Sequence, residues 1–555
     1  MACDSKQLCE RNDALKTRRV TWDSLWQDLA NYIMPRKAQV TEVDSTPDTY
    51  KHDRLYDTTI GQANMVLANG QMAWMTPMEE PWFSFDPPPK SRDDDEAKQW
   101  FQACTQITLE ELANSNFYTQ IHELYLDRGC FGTAILFAEP GEEQELFFAN
   151  HDVGTYSVAE NSRGFVDTVF REFDLSARAA AQKFGEAQLS KELQANLKNP
   201  KKKDQLATFI HAVYPRREDE RESGKIDGIN KPIASVYIEK KTQKEVQEGG
   251  FDEMPYFCTR YLKWGDSPYG WSPGWMALPE ARQVNFLEEK LDVLAEVQVD
   301  PRMLYPDNMD GDVDLRAGGI TYYNANNPNA IPREWMTGGR YEIGVERSTH
   351  RRKAINEAFH VDLFKMFSQI DKEMTAREVS ERAAEKIIQF SPTFARMGTE
   401  LFGPVLKRSF GILLRSGAFP PVPDSVLVQG ENGEEASVPL PKVAYSSKIA
   451  LAIKSLHNTS WARTMETMLP MADRQPDILD NYNMDVISRD TSRNDGMPPK
   501  WMRPMDEVDK MRAERAKQAQ QAAEVEMQQK QADAAQKVAS IDPEKAQQLQ
   551  QMAQQ

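Results

Sequence analysis

LPEARQVNFLEEKLDVLAEVQV, residues 278–299, is the stretch on which the architecture depends. Its apolar residues recur every three or four positions and acidic residues lie on or near the other face, which predicts an amphipathic helix that ends at Pro301. The apolar stripe consists of Val284, Leu287, Leu291, Leu294 and Val297. A second helix is predicted over 346–368. Two long helices therefore enclose residues 300–345.

The chain before this pair divides into a helical part and a part rich in strands. Helices are predicted at 21–33, with Thr21 as N-cap and Pro35 as the stop, and then at 58–76, 94–115 and 118–129. Short β-branched and aromatic runs between 133 and 264 predict a small antiparallel sheet. One helix, over 176–196, interrupts them. The fold class is therefore α+β and predominantly helical.

After the pair, the pattern is again helical. A long helix is predicted over 376–416, with Thr375 and Glu378 as a capping box, kinks at its internal prolines, and its end at Gly417. Residues 446–503 predict shorter helices. The Gln- and Ala-rich residues 506–555 predict either a solvated helix or a frayed tail.

Composition limits the function classes. The 555 residues include 67 Lys and Arg against 85 Asp and Glu, a net charge of −18, so any DNA contact is expected to be local or weak. No apolar run is long enough to predict a transmembrane helix, and early charge predicts no secretory signal. The five scattered cysteines are typical of a reducing compartment.

The sequence predicts neither an enzyme nor a metal or cofactor site. It has no P-loop motif and no paired-cysteine zinc motif. Gly270–Gly274 matches the GxSxG pattern of hydrolases, but Pro273 lacks the N–H that an oxyanion hole needs. The acidic residues around Gly311 resemble a calcium loop, but the required positions hold Pro306 and Ala317.

A basic group on the second predicted helix permits two interpretations. Its members are Arg347, Arg351, Arg352 and Lys353. They form either a salt-bridged helix face or a set of contacts to a DNA phosphate backbone.

Three blocks carry a resemblance to a known family. They are RLYDTTIGQANMVLANGQMAWMTPMEEPWFSFDPP (54–88), YLKWGDSPYGWSPGWMALPEARQVNFLEEKLDVL (261–294) and MTAREVSERAAEKIIQFSPTFARMGTELFGPVLKRSFGILLRSGAFP (374–420). In content and order they resemble podovirus portal proteins, the head-to-tail connecting proteins of bacteriophages. The resemblance spans roughly residues 15–505.

The resemblance implies a ring, usually of twelve subunits, at one vertex of the capsid. It implies a wing over 1–277 and 376–445, stem helices over 278–299 and 346–368, a clip over 300–345, a channel (tunnel) loop over 369–375, a crown over 446–505 and a C-terminal extension over 506–555. That extension is expected to be a helical barrel or disordered. The implied location is the virion, with assembly in the host cytoplasm.

The resemblance also implies site residues and partners. Gln369, Asp371, Lys372 and Glu373 are expected to line the channel, although an ordinary polar turn explains them equally well. Asp307, Asp310, Asp312, Tyr322 and Tyr323 are expected at the clip interface with terminase or adaptor. The expected partners are copies of the same chain, the terminase large subunit, major capsid and scaffolding proteins, tail adaptors, internal core proteins and double-stranded DNA in the channel, with no membrane.

Two other function classes remain open on the residues alone. The first is an enzyme with an unrecognised active site in the α+β region. The second is a monomeric or dimeric scaffold that binds partners through its long helices. Oligomer mass separates this scaffold from a ring.

Overall fold

The chain forms two compact units in the computed structural model, residues 1–453 and 454–555. The structure describes residues 5–37, 39–41, 55–91, 94–141, 143–221, 225, 227–300, 303–304, 333–334, 340–368, 391–427, 438–446, 461, 464–471, 475–494, 501–503 and 505–539. Both helices and antiparallel sheets occur in the first unit.

The first unit contains several α-helices. They are α1 (Ser5–Ile33), α2 (Thr59–Met75), α3 (Asp95–Asn114), α4 (Phe117–Phe131), α5 (Ala177–Phe184), α6 (Lys191–Lys198), α7 (Pro273–Val299), α8 (Tyr341–Ala358), α9 (Val361–Ser368) and α10 (Gly403–Ser416).

The strands pair antiparallel throughout. They are β1 (Phe83–Asp86), β2 (Thr133–Glu139), β3 (Phe147–His151), β4 (Tyr156–Glu160), β5 (Val166–Ser176), β6 (Leu206–Pro215), β7 (Ile233–Glu239), β8 (Lys244–Phe251), β9 (Tyr256–Arg260), β10 (Leu262–Lys263), β11 (Gly270–Trp271), β12 (Met303–Leu304), β13 (Arg333–Glu334) and β14 (Lys442–Tyr445). One sheet has the order β3-β2-β9 and another the order β4-β5-β6-β7-β8. Three two-stranded pairs complete the set, β1-β14, β10-β11 and β12-β13.

The main core lies where the N-terminal helices, the three-stranded sheet and α10 meet. Trp26, Leu67, Tyr125 and Phe402 are all buried there. The five-stranded sheet has an apolar layer on each face. Phe170 packs in the cluster that includes residues of α1, and Phe209 packs in the cluster that includes residues of α5 and α6.

Several predicted elements are confirmed. Helices α2, α3 and α4 occupy the predicted stretches, and Asp94 caps α3 by accepting a hydrogen bond from the Glu96 N–H. The short β-branched and aromatic runs predicted as strands overlap β2, β3, β5, β6, β7 and β9. Gly417 ends α10 at φ +77°, a conformation that glycine adopts without steric cost.

The prediction for the first helix was wrong at its start. Helix α1 begins at Ser5, sixteen residues before the predicted cap Thr21. The extra turns carry polar residues, so a prediction based on apolar residues at helical spacing did not include them. Asn12 and Lys16 both donate hydrogen bonds to Glu172 of β5, at 2.7 and 2.9 Å. These bonds satisfy polar groups that would otherwise be costly to cover.

The prediction for the region between 133 and 264 was wrong in two respects. The strands form two sheets and not one, and β4 and β8 were not predicted. The single helix over 176–196 is two helices, α5 and α6. They separate at Gly185, where φ is +85° and the helical path cannot continue.

The long helices also differ from prediction. Helix α7 starts at Pro273, and the second helix starts at Tyr341, stops at Ala358 and resumes as α9. His360 has φ +54°, which breaks the helix there. Of the segment over 376–416, residues 391–397 are helical, Gly398–Phe402 form a π-helical turn and α10 follows. The wide turn comes just before Pro404, so the regular helical hydrogen bonding is interrupted where the proline has no N–H to donate.

The second unit contains α11 (Met484–Asn494) and α12 (Met505–Ala539). Arg512 of α12 pairs with Asp485 of α11 through two hydrogen bonds of 2.6 and 2.7 Å. Nearly all described side chains of α12 are exposed, as predicted for a solvated helix. Residues 540–555 lie outside the described part.

Candidate functional site

The candidate site is the helix pair α7 and α8, called here the paired helices. Ser272 caps α7, since its Oγ accepts a hydrogen bond from the Trp275 N–H at 2.9 Å. The same hydroxyl donates to the Cys130 carbonyl at 2.7 Å and is buried. The serine of the GxSxG match therefore positions a helix, and its hydroxyl is engaged on both sides.

The paired helices approach closely near their distal ends. A Cβ placed on Gly344 would lie 2.5 Å from Cδ2 of Leu291, so only glycine permits this spacing without a shift. Nearer the core, Val284 and Ile355 are fully buried. The apolar stripe predicted for 278–299 is thus used in part, at Val284 and Leu291.

Two arginines of α8 are held by acids. Arg351 Nη1 lies 2.6 Å from Oε2 of Glu280 on α7. Arg352 Nη2 lies 2.7 Å from Oδ2 of Asp57 and 3.0 Å from Oε1 of Glu288. Partial burial lowers the pKa of Arg352, but the hydrogen bond and charge of Asp57, with Glu288, raise it above its ordinary value. The guanidinium therefore stays charged.

A segment before α2 joins the pair to the core. Asn285 Oδ1 accepts hydrogen bonds from the backbone N–H groups of Tyr56 and Asp57, at 2.7 and 3.3 Å. Asp57 also accepts a hydrogen bond from the Thr59 N–H at the start of α2, at 2.9 Å. This one carboxylate therefore links α2 to Arg352 of α8.

The predicted basic group separates into two kinds of residue. Arg351 and Arg352 form the interhelical ion pairs, as the salt-bridged interpretation expected. Lys353 is exposed and lies 3.9 Å from Glu357, and Arg347 is exposed. Contact of any of the four with DNA phosphates stays a prediction.

The other predicted site residues fall outside the described residues. These are the channel-loop residues Gln369, Asp371, Lys372 and Glu373, and the clip residues Asp307, Asp310, Asp312, Tyr322 and Tyr323. Before the predicted channel loop, the described residues stop at Ser368, the last residue of α9. Phe364 of α9 packs against Gly70 of α2, where a glycine leaves room for the ring.

The paired helices expose a set of large apolar side chains. Phe286, Val293 and Val299 of α7 are 53%, 47% and 87% exposed. On α8, Ile343 and Val345 are 49% and 40% exposed. Single exposed apolar residues are ordinary, and several along one helix pair make the pair a candidate contact surface.

One structural group was missed by sequence reasoning. Glu400, in the ELF part of the third quoted block, accepts hydrogen bonds from Arg260 at its backbone N–H, 2.9 Å, and at Nη2, 2.7 Å. Arg260 also pairs with Glu160, which Lys263 contacts at 2.7 Å. The signal was available, because a glutamate inside an apolar helical stretch requires a buried partner.

The described residues lack two kinds of feature. None of their helices combines the length and apolar character that crossing a bilayer requires. No group of three or more His, Cys, Asp or Glu among them is arranged to hold a metal ion.

Comparison with known proteins places the chain in a family. Over 521 residues it is 28% identical to the portal protein of Salmonella phage epsilon15, covering 92% of this chain and 91% of the relative. Over 553 residues it is 28% identical to a probable portal protein of Bordetella phage BPP-1, covering 98% and 96%. Both names are portal names, and neither is an enzyme name.

The chain also matches a solved structure and a protein-family model. A chain of the virion of native gene transfer agent (GTA) particle matches with a TM-score of 0.32 and 10% identity, covering 74% of this chain and 87% of that chain. The family model for bacteriophage head to tail connecting protein matches residues 5–502. The chain therefore belongs to the bacteriophage head to tail connecting protein family.

Proposed function

We propose that twelve copies of this chain close into a ring at one vertex of a phage capsid. The ring serves as the conduit through which terminase packages double-stranded DNA and through which the DNA later leaves. It is also the platform on which the tail is attached. The membership of the head to tail connecting family and the portal names of two relatives support this proposal.

The observation that carries the proposal is the exposed apolar surface of the paired helices. Phe286 and Val293 on α7, with Ile343 on α8, are each about half exposed in the single chain. A neighbouring copy that covered them would remove apolar surface from water. When such contacts are head-to-tail and their rotation closes, the product is a ring.

The regions of the proposed ring are those that the resemblance to portal proteins implies. Residues 1–277 and 376–445 would form the wing, 278–299 and 346–368 the stem, 300–345 the clip and 446–505 the crown. Residues 369–375, with Gln369, Asp371, Lys372 and Glu373, would form the channel loop. The Gln- and Ala-rich extension, helical from Met505 to Ala539, would project into the capsid as a barrel of copies.

Charge is consistent with a conduit that does not hold DNA tightly. At −18 per chain, twelve copies carry −216. Arg351 and Arg352 are already paired with acids, so they add little free positive charge to the stem. A bore that bound phosphates strongly would slow a moving duplex. Exposed cations such as Arg347 and Lys353 would provide transient phosphate contacts.

The proposed partners act at different levels of the ring. The clip, with Asp307, Asp310, Asp312, Tyr322 and Tyr323, would meet terminase during packaging and the tail adaptor afterwards. The wing would contact the major capsid and scaffolding proteins, and the crown side would face internal core proteins. Assembly would take place in the host cytoplasm.

Mass photometry and negative-stain electron microscopy of the purified chain test the proposal. Twelve chains of 63.3 kDa give particles of about 760 kDa with a central hole. Val293→Glu should reduce the ring fraction, because a carboxylate would be buried at the contact. Leu206→Glu, a matched change at a 65% exposed residue of β6, should not.

A uniform monomer or dimer at all protein and salt concentrations would overturn the ring. The scaffold hypothesis would then explain the long helices.

A further inference from the structure

A cavity of about 280 Å³ lies between the two larger sheets, and none of its lining residues belongs to the paired helices. Arg171 of β5, His211 of β6 and Tyr237 of β7 are register neighbours and form one wall. Phe137 of β2 and His151 of β3 line the cavity from the three-stranded sheet. We call it the intersheet cavity.

The lining carries one positive charge in excess. Arg171 and Lys183 are cations, and Glu139 is the carboxylate that faces them. The two histidines are neutral, because burial lowers the pKa of His151 to about 3 and lowers that of His211 well below its ordinary value. A ligand with a single negative charge would balance this lining.

The cations are held in place by aromatic rings. Nζ of Lys183 lies 5.0 Å from the ring centroid of Tyr237, and the guanidinium of Arg171 lies 4.9 Å from that of Phe173. The His211 ring stacks on Tyr237 at 4.0 Å. Both of its nitrogens are engaged, with the Tyr256 hydroxyl at 2.8 Å and Ser235 Oγ at 2.9 Å. The wall is therefore preorganised.

Three buried polar atoms of the lining residues lack a hydrogen-bond partner within the described part of the chain. Nε2 of His151, Nε of Arg171 and Oδ1 of Asn150 are buried without a hydrogen bond to the described part of the chain. The His151 side chain is only 6% exposed. Buried polar atoms of this kind are normally satisfied, here by a ligand or by water.

The remaining lining favours a flat apolar group. Phe137 and Tyr256 have ring centroids 4.7 Å apart, and Phe147 and Tyr237 also border the space. Pockets for small molecules combine such apolar walls with a few convergent polar groups.

We propose that the intersheet cavity binds a small organic carboxylate, with its negative charge between Arg171 and Lys183 and its apolar part against Phe137 and Tyr237. The inference is independent of ring formation, because every residue named belongs to one chain.

Isothermal titration calorimetry of the full chain tests this, with benzoate as the probe. Benzamide is the uncharged isostere, and inorganic phosphate is the competing oxyanion. Benzoate should bind once per chain. Benzamide should bind about ten-fold more weakly or worse, the scale of a lost hydrogen bond to a charged group.

Two variants locate the binding. Lys183→Met and Arg171→Lys should each weaken benzoate binding, the first about ten-fold. Lys201→Met removes a cation from an exposed turn and should leave binding unchanged. Urea denaturation of each variant establishes that the fold is retained.

Three results would overturn the proposal. The first is no saturable heat with benzoate, which would mean that water alone fills the cavity. The second is equal affinity in wild type and Lys183→Met. The third is phosphate binding with the same sensitivity to the variants while benzoate does not bind, which would make the site one for an inorganic oxyanion.

Discussion

The ion pairs around Arg260 and those of the paired helices use the same chemical groups in different solvent environments. The Arg260 side chain is 2% exposed and its partner Glu400 is 6% exposed. Arg352 is 38% exposed and Glu288 20%. Removing one partner from a buried pair leaves an unpaired charge without water, whereas an exposed charge is rehydrated. The first group should therefore contribute more to stability than the second.

The largest effect is expected from Arg260→Met. Glu160 and Glu400 would then share a buried site without their main counter-ion, so the free energy of unfolding should fall by about 3–5 kcal/mol. The midpoint of urea denaturation measures this. Lys241→Met is the matched control, because Lys241 and Glu192 are 72% and 52% exposed and their pair should contribute under about 1 kcal/mol. Equal losses in the two variants would show that burial does not separate them.

A second buried pair adds a pH dependence. Burial raises the pKa of Asp127 by more than Lys37, at 2.9 Å, lowers it, so the pKa is about 6. This folded pKa lies above the unfolded value of about 3.9, so the folded state binds more protons and stability from this group falls as pH rises from about 4 to about 6.

Lys37→Met should sharpen that dependence. Without the ammonium, the pKa of Asp127 rises further, and the loss of stability should continue above about pH 6. We expect a loss of about 3 kcal/mol at neutral pH and a much smaller loss at about pH 5, measured by urea denaturation at both values. Lys37→Arg keeps the charge and serves as control. The same loss of stability at both pH values would show that ionisation of Asp127 is not the cause.

A smaller and local effect is expected from Arg352→Met. The variant loses the link from α8 to Asp57 and Glu288. Arg352 is 38% exposed but the Asp57 side chain is only 7% exposed, so the loss should be at least about 1 kcal/mol. Hydrogen exchange of α8 amides, followed by mass spectrometry, should become roughly five-fold faster. Arg347→Met, an exposed residue of the same helix, should leave the rates unchanged. Unchanged exchange rates in both variants would show that Arg352 does not stabilise α8.

The smallest effect concerns Arg351 and Glu280. A double-mutant cycle with Arg351→Met and Glu280→Gln should give a coupling of about 0.5 kcal/mol at low salt. The coupling should vanish near 1 M salt, where screening acts over about 3 Å. The coupling of Arg260 to Glu400, measured in the same way, should persist. A coupling at Arg351 that survives high salt would place that pair in a dry environment.

Helix and strand identity was largely readable from local pattern. The stretches of α2, α3 and α4 and residues 278–299 of α7 have apolar spacing, but the start of α7 at Pro273 was not predicted. The start of α1 was not readable, because its N-terminal half buries Asn12 against β5 and Arg19 against β4. Residues distant in sequence supply the hydrogen bonds that offset the cost of burying these polar side chains.

The candidate site was predictable only in part. Two facing helices and a basic group on the second followed from spacing and charge. The acid that holds each arginine did not, since Asp57 and Arg352 are 295 positions apart. The break at His360 could not be predicted either, because a residue with a Cβ rarely adopts the left-handed backbone conformation found there.

By itself, the sequence determined the element types, the acidic balance and the blocks that mark the family, since these depend on residue chemistry and short spacing. Tertiary structure decided how the strands divide between two sheets and which charges are buried. It also decided that Arg171, His211 and Lys183 border one cavity. The physical reason is that burial and pairing depend on contacts between distant segments, and these set the local solvent and charge that each side chain meets.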